Sequence, residues 1–229
     1  MSASQSLIVE TKLQKPRSRI GYRRVASGNE ATILSRIYEE DVNMVIWRRA
    51  HTLSLSRSAE QLLALDTNLA LSLITEPNCV NKSVSAALPE NYRGPLADDV
   101  TELVDMFCYL FEVKRVGLRL TTLDRAMCPR FHVDMIPCRL VSTYCGRTTE
   151  WLYDEVVDRT KLGMGHHGKS DLQSGIYGHQ KDVQELEPGD VALLKGGAWT
   201  GNEGAGLVHR SPSLAAGEKR LLLTVDFVN

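Results

Sequence analysis

The character of the sequence changes at Lys114, and this change constrains the fold more than any other feature. Before Lys114, apolar residues recur at helical spacing, most clearly between Leu96 and Phe111. After it, short runs rich in Val, Leu and Thr are separated by turn residues, which is typical of strands. The strand-like runs cover residues 116–123, 130–134, 139–145, 190–194, 207–210 and 220–227.

Helices followed by strands predict an α+β fold in which the helices pack on one side of a sheet system. Several short strands that carry inward-facing polar side chains favour a jelly roll. We therefore predict a double-stranded β-helix (jelly-roll, cupin-like) core with N-terminal helices packed on one sheet. The predicted organisation is an N-terminal arm at 1–27 and a single domain at 28–229, with a helical support region at 28–114 and the jelly-roll core at 115–229.

Within the helical region, the apolar spacing predicts a helix at 29–40, a buried strand at 42–47 and a loop at 76–95. A further helix, capped by Ser56 or Ser58, is predicted from a broad stripe of leucines. The stripe consists of Leu62, Leu63, Leu65, Leu69 and Leu73.

Charge and cysteine content narrow the class of protein. The formal net charge is -1, so the chain has no broad attraction to nucleic acid or to anionic lipid. Its five cysteines are an odd number and form no CxxC pair, which argues for a reducing compartment. No stretch resembles a signal peptide or a membrane span. We expect a soluble cytoplasmic protein with no nucleic-acid or membrane partner, and these patterns leave its oligomeric state open.

Three residues of the strand-rich half could form a metal site. His132 and Asp134 are two residues apart, so on an extended strand their side chains point the same way. His209, on a distant strand, would supply a second imidazole. Two histidines and one carboxylate that hold one face of a metal are the arrangement of non-haem iron(II) oxygenases. The other interpretation is that His132 is a core histidine beside a structural aspartate.

Arg220 begins the last predicted strand, where alternation puts Arg220, Leu222 and Thr224 on one face. A guanidinium inside a barrel needs an anion, and a dicarboxylate co-substrate would supply one. The alternative is an ion pair with a protein carboxylate such as Asp226 or Glu218.

Two further features bear on metal and substrate binding. Cys128, Cys138 and Cys145 lie around the predicted ligand strands, where they could bind a softer metal such as zinc or act as small core residues. The glycine- and histidine-rich residues 162–182 form a loop long enough to be a functional lid or a disordered insert. We take this loop as a candidate lid and Trp151 as a candidate substrate contact.

From about residue 130 to residue 227 the sequence resembles the iron(II)- and 2-oxoglutarate-dependent oxygenases, in particular the prolyl-hydroxylase-like branch. Residues 131–134 (FHVD) look like the strand of the first two ligands, and residues 207–209 (LVH) look like the strand of the second histidine. Residues 187–194 (EPGDVALL) resemble the PGD strand of that branch.

The whole chain also resembles a bacterial family catalogued as domain of unknown function 1826. The motifs that carry this resemblance are CPRFHVD at 128–134, CRLVSTY at 138–144, TEWL at 149–152, HRSP at 209–212 and RLLLTVDF at 220–227. That family supplies no activity of its own.

The resemblance to the oxygenases implies a function and a set of site residues. The implied Fe(II) ligands are His132, Asp134 and His209, and the implied anchors for the far carboxylate of 2-oxoglutarate are Arg220, Tyr144 and Thr224. The implied activity is a dioxygenase that hydroxylates an unknown substrate, either a small molecule or a protein side chain. The alternatives are a non-catalytic, cupin-like zinc-binding or metal-homeostasis protein and a structural barrel with a degenerate site.

Two segments depart from the oxygenase pattern. Residues 146–151 (GRTTEW) replace the glycine pair that usually precedes the substrate strand, and the loop at 162–182 has no counterpart. Because both segments lie where substrate would bind, the substrates of those oxygenases are not carried over to this chain.

Overall fold

The structure is a computed structural model that describes residues 21–65 and 68–228. This part of the chain is a mixed α/β fold of two sheets and a helical layer. The longer helices are a 3-10 helix at Ala31–Tyr38, α1 at Leu53–Ala64, α2 at Pro77–Ala87 and α3 at Arg93–Phe111, and α4 at Asp171–Ser174 is a single turn. The strands are β1 (Arg24–Gly28), β2 (Val42–Trp47), β3 (Ala70–Thr75), β4 (Val116–Leu123), β5 (Cys138–Cys145), β6 (Glu150–Leu152), β7 (Val183–Glu185), β8 (Val191–Lys195), β9 (Val208–Arg210) and β10 (Arg220–Phe227).

The larger sheet has seven strands in the order β1-β2-β8-β5-β10-β4-β3. Strands β1 and β2 are parallel, and the other neighbouring pairs are antiparallel. Strand β10 lies between β5 and β4 and is covered on both faces, so six of its eight residues are buried. Its first residue, Arg220, is therefore placed inside the protein.

One face of the larger sheet packs on the helices and forms the main core. Helix α3 contributes Leu96, Val100, Leu103 and Phe107, each at most 1% exposed. Their spacing of three and four residues puts them on one side of the helix, and burying each stabilises the fold by about 1.5–3 kcal/mol. The N-terminal helices thus pack on one sheet, as the sequence predicts.

The other face of the larger sheet meets the smaller sheet, whose order is β7-β6-β9. Buried side chains from both sheets form a second apolar cluster between them. The smaller sheet contributes Trp151, and Leu207 joins the cluster from the residue before β9. The larger sheet contributes Val141, Leu194 and Leu222. Trp151 is therefore a packing residue between the sheets rather than an exposed substrate contact.

The predicted leucine helix is wrong beyond Ala64. Leu69 lies immediately before β3, and Leu73 belongs to it. Strand β3 is an edge strand that pairs antiparallel with β4. Within β3, Leu71 and Leu73 both pack on the main core, as alternate residues of a strand do. Closely spaced leucines fit the period of a helix and that of a strand equally well, so their spacing wrongly predicted a helix here.

Two further details of the helical region differ from the prediction. Helix α1 is capped by Thr52, whose Oγ1 accepts a hydrogen bond from the Leu55 amide at 3.3 Å, and not by Ser56 or Ser58. The predicted loop at 76–95 contains helix α2, which begins at Pro77 because proline is well suited to the first turn.

The glycine- and histidine-rich segment is folded. A third cluster joins Ile176 and Tyr177 of this segment to Phe131, Leu152 and Val208 on the strands. Of the two alternatives for this loop, a disordered insert does not agree with this packing, and the role of the segment as a lid stays a prediction.

The proposed arm at 1–27 is described only in part, because residues 1–20 lie outside the described residues. Strand β1 (Arg24–Gly28) crosses the predicted boundary between arm and domain and pairs with β2. The division at residue 28 stays a prediction. Among the described residues, no helix combines the length and the apolar character needed to cross a membrane.

Candidate metal centre

The structure brings His132, Asp134 and His209 together. One ligand atom from each of the three side chains lies within 4.8 Å of the others. His132 Nε2 lies 3.4 Å from Asp134 Oδ1, and His209 Nε2 lies 3.5 Å from Asp134 Oδ2. Two imidazoles and one carboxylate therefore face a common point.

Backbone pairing places the two histidines side by side. The predicted strand at 130–134 is reduced to one antiparallel bridge, in which His132 and His209 exchange both backbone hydrogen bonds at 3.0 Å. Residues opposite each other in such a bridge project their side chains to the same face. The two imidazole rings are accordingly 4.6 Å apart between centroids.

A carbonyl oxygen orients each imidazole. His132 Nδ1 lies 2.9 Å from the Arg130 carbonyl oxygen, and His209 Nδ1 lies 3.3 Å from the Leu207 carbonyl oxygen. Because a carbonyl oxygen can only accept, Nδ1 carries the proton in both rings, and Nε2 is left to bind a metal.

Arg139 holds the third ligand. Its Nη1 donates to Asp134 Oδ2 at 2.6 Å, while its Nε and Nη2 donate to the two oxygens of Asp226 at 2.7 and 3.0 Å. This pairing follows from register, because Arg139 of β5 lies opposite Asp226 of β10. Asp134 Oδ1 is therefore the oxygen without an arginine partner.

The charges at the centre favour an ionised aspartate. Burial opposes ionisation of Asp134, but hydrogen bonds from His132 and His209 and the charge of Arg139 hold its pKa well below the ordinary value. In turn, the hydrogen bond to Asp134 raises the pKa of His132. Without a metal, the site can hold a proton where a cation would bind.

Arg220 is buried and forms no ion pair with any carboxylate of the described residues, although Glu150 is close enough for its charge to act on the guanidinium. It is 1% exposed, and its Nη2 donates to Thr143 Oγ1 at 3.2 Å and to Thr149 Oγ1 at 3.3 Å. Its Nε and Nη1 are buried and have no hydrogen-bond partner. Burial lowers the pKa of Arg220 to about 10.

Neither carboxylate that the sequence offered as a partner for Arg220 pairs with it among the described residues. Asp226 binds Arg139 and Arg119, and Glu218 accepts a hydrogen bond from the Ala215 amide at 2.8 Å. A buried guanidinium with two unsatisfied nitrogens is costly, and a bound anion would satisfy it.

A cavity of about 100 Å³ is lined by the two candidate histidine ligands and by Arg139, which holds Asp134. Thr149 lines this cavity and also accepts from Arg220, so the guanidinium lies directly behind the cavity wall. Thr224 lines it too, as alternation along β10 predicts. The lining residues include His132, Arg139, Thr149, His209, Leu222 and Thr224.

The structure does not bring Tyr144 to this cavity. Tyr144 is 2% exposed and packs in the main core on the helical face of the larger sheet. Its hydroxyl donates to Asp99 Oδ2 of α3 at 2.7 Å, and its ring stacks on His51. The physical reason is alternation along β5: Thr143 faces Arg220, so its neighbour Tyr144 points the other way.

Sequence reasoning missed several residues of the site. Thr143 and Thr149 contact Arg220, Arg139 holds Asp134, and Arg119 lines the cavity. Counting in steps of two along β5 from Arg139 would have found Thr143 in place of Tyr144. Nothing in the sequence marked Thr149, because it lies just before β6 and contacts Arg220 across 71 residues of chain.

The cysteines are not part of the three-residue metal group in the described chain. Cys138 is buried, and burial raises the pKa of its thiol well above the ordinary value. Cys145 is partly buried, and Cys128 is exposed at the wall of the cavity. The interpretation of Cys138 as a small core residue agrees with this environment.

Fold and site define a mixed α/β protein with a candidate metal centre of two histidines and one aspartate. The chain belongs to the family described as "Protein of unknown function (DUF1826)", whose model matches residues 28–226. Comparison with curated protein sequences gives no match.

The chain is similar to several solved structures. One is the dioxygenase for auxin oxidation of rice, with 11% identity and a TM-score of 0.49 over 90% of this chain and 83% of that one. Another is the Arabidopsis thaliana dioxygenase for auxin oxidation 1 with 2-oxoglutarate, with 12% identity and a TM-score of 0.49 over 90% and 93%. A Pseudomonas putida prolyl-4-hydroxylase has 11% identity and a TM-score of 0.43 over 86% and 96%. Because these TM-scores are below 0.5, the proposal below rests on this chain's own side chains.

Proposed function

We propose that this protein is an iron(II)- and 2-oxoglutarate-dependent oxygenase whose two facing sheets form a double-stranded β-helix. The observation that carries the proposal is the pairing of two features around one cavity. One is the group His132, Asp134 and His209, and the other is the unpaired guanidinium of Arg220 behind Thr149. A metal site alone would account for the three ligands but not for the unpaired guanidinium of Arg220.

The donor set fits iron(II). Two neutral imidazole nitrogens and one carboxylate oxygen hold one face of the metal and leave other positions for exogenous ligands. Arg139 donates to Asp134 Oδ2, and Oδ1 has no arginine partner and would be available to the metal.

The environment of Arg220 fits a carboxylate. An anion placed against Nε and Nη1 would satisfy both orphan donors in the bidentate geometry that guanidinium and carboxylate share. Thr143 and Thr149 hold the guanidinium in place, and Thr224 offers a hydroxyl at the cavity wall. A dicarboxylate such as 2-oxoglutarate carries one carboxylate for Arg220 and a second end for the metal.

When bound, iron(II) with 2-oxoglutarate and dioxygen supplies the insertion of one oxygen atom into a C–H bond, with succinate and carbon dioxide as the other products. The residues of this chain bind and orient the reactants. The metal would be held by His132, Asp134 and His209. Arg139 would keep Asp134 ionised and fix the orientation of its carboxylate, and Arg220 would anchor the co-substrate. Leu194 and Leu222 line the cavity and keep it apolar.

The substrate is a small molecule or a protein side chain, and the size of the cavity favours the second. About 100 Å³ is small beside the roughly 300–1,000 Å³ of ordinary small-molecule sites, and the co-substrate would take much of it. The C–H bond would then be presented from the open side of the cavity, where Met127 and Cys128 are exposed.

Anaerobic spectroscopy tests the proposal. Iron(II) and 2-oxoglutarate added to the protein without oxygen should produce a weak visible charge-transfer band. The band should vanish in His132→Ala and shrink in Arg220→Met, whereas Arg147→Met, which removes a half-exposed arginine, is the matched control and should keep it. Absence of the band in the wild-type protein would overturn the proposal.

The zinc-binding alternative uses the same three ligands but requires no anion at Arg220. It predicts tight zinc in the purified protein and no binding of 2-oxoglutarate to the metal-loaded form. Isothermal titration with 2-oxoglutarate, using wild type and Arg220→Met, separates the two functions.

A further inference from the structure

The segment from residue 158 to residue 182 is tied to the candidate metal centre by one buried carboxylate. Asp171, the first residue of α4, is 5% exposed. Its Oδ2 accepts a hydrogen bond from the Phe131 amide at 3.1 Å and one from Arg210 Nη1 at 2.8 Å. We call Asp171 with these two partners the Asp171 clamp.

The two partners in the clamp are neighbours of the two candidate histidine ligands. Phe131 immediately precedes His132, and Arg210 immediately follows His209. In the antiparallel bridge between the histidines, these neighbours lie across from each other on one side. One carboxylate from outside the two strands therefore fastens both of them beside the histidine pair.

Other contacts make the clamp rigid. Arg210 also pairs with Glu150 at 2.5 Å, and its guanidinium lies over the Phe131 ring, 4.3 Å from the centroid. The bridge to His209 is the single β-pair of His132 among the described residues, so the chain around His132 depends on such contacts for its position. Removing the carboxylate would leave the Phe131 amide and Arg210 without a shared acceptor.

Apolar packing links the same segment to the same strands. Tyr177 packs edge-on against Phe131 at 5.6 Å between ring centroids, and Ile176 belongs to the same cluster as Val208. Ile176 also accepts a hydrogen bond through its carbonyl oxygen from the Asp158 amide at 2.8 Å, which closes the segment on itself. The segment thus contacts the strands through residues adjacent to both histidines.

We propose that Asp171 is a positioning residue that couples the folding of residues 158–182 to occupation of the metal centre. The proposal rests on the metal site of the proposed function but not on turnover. Coupling is reciprocal: if the folded segment raises the affinity for metal by some factor, bound metal stabilises the folded segment by the same factor. Short helical turns with few backbone hydrogen bonds open more readily than sheets, so the effect of metal should concentrate there.

The first experiment measures metal affinity by anaerobic titration with iron(II), with Zn²⁺ as a second probe. Asp171→Ala should bind either metal 10- to 100-fold more weakly, the range found when groups behind the ligands are removed. Asp171→Asn keeps an acceptor for the Phe131 amide but loses the charge opposite Arg210, so its loss should be smaller. Glu203→Gln is the control: Glu203 is an exposed carboxylate that accepts from the Gly201 amide in a turn outside residues 158–182, so this variant should bind metal as wild type does.

The second experiment measures amide hydrogen exchange with and without metal. In wild type, metal should slow exchange at residues 158–182, and in Asp171→Ala this protection should be lost while the larger sheet exchanges as before. A purely structural Asp171 would instead lower overall stability and leave the metal affinity unchanged, and that result would overturn the proposal. If His132→Ala also binds metal normally, the metal site itself is wrong, which is a separate outcome.

Discussion

Arg220 is needed for the proposed function, but its buried charge lowers the stability of the fold. Its guanidinium is buried with two nitrogens unpaired, and its lowered pKa shows that the folded protein disfavours the charge. The unfolded chain solvates that charge freely, so keeping it inside costs free energy at neutral pH. Under the proposed function, the anion that Arg220 binds would offset this cost.

We predict that Arg220→Met stabilises the protein in the absence of 2-oxoglutarate. Apolar replacement of buried charges of similar volume raises the free energy of unfolding by up to about 1–4 kcal/mol. Chemical denaturation measures the change. A loss of stability in Arg220→Met would show that the guanidinium is already satisfied and would remove the argument for an anion.

The matched comparison is Arg139→Met, for which we predict the opposite sign. Arg139 is paired with Asp134 and Asp226, so its removal leaves Asp134 without an arginine and Asp226 with Arg119 as its remaining arginine. Because Arg139 is 23% exposed, we expect a loss of about 2–3 kcal/mol, less than the cost for a fully buried pair. The same denaturation experiment measures both variants, and equal signs would contradict the distinction drawn between these two arginines.

At the scale of elements, β5 (Cys138–Cys145) contributes side chains to both faces of the larger sheet. Arg139 and Thr143 face the candidate site, while Tyr144 faces the helices. The Tyr144 hydroxyl, with Arg49, holds Asp99 of α3 and so ties the helical layer to the sheet. The interpretation of Tyr144 as a 2-oxoglutarate ligand fails because a strand reverses side at every residue.

We predict that Tyr144→Phe lowers the free energy of unfolding by about 1–2 kcal/mol, because Asp99 loses a buried hydrogen-bond donor. The affinity for 2-oxoglutarate in the presence of metal should stay at the wild-type value. Denaturation and isothermal titration on the same variant check both parts. Weakened 2-oxoglutarate binding at unchanged stability would restore Tyr144 to the site.

The edge strand β3 (Ala70–Thr75) is an element that the spacing of apolar residues could not distinguish from a helix. Helix α3 was predicted closely, since a long amphipathic pattern has few alternatives. The leucines after Ala64 fit a helix or a strand equally well, and pairing with β4 decides for a strand. Local spacing cannot resolve a choice that depends on a partner strand elsewhere in the chain.

For the whole molecule, we predict that metal and 2-oxoglutarate together raise the melting temperature. A ligand at a hundred times its Kd adds about 2.7 kcal/mol, which corresponds to roughly 5–10 °C for a chain of this size. Thermal unfolding with iron(II) and 2-oxoglutarate under nitrogen measures the shift. A chelator should reverse it, and His209→Ala should not show it; an equal shift in that variant would place the binding elsewhere.

The sequence by itself determined the class of fold, the strand-rich second half and the identity of three candidate ligands. These depend on residue type and on periods of two or three to four residues, which are local properties of a chain. Only the tertiary structure decided that Arg220 forms no ion pair with a carboxylate of residues 21–65 and 68–228, that Arg139 and Thr149 belong to the site, and that Asp171 fastens the strands of both histidines. The contacts of Thr149 and Asp171 join distant parts of the chain, and the contact between Arg139 and Asp134, five residues apart, depends on how β5 pairs in the sheet. Local patterns do not encode these pairings.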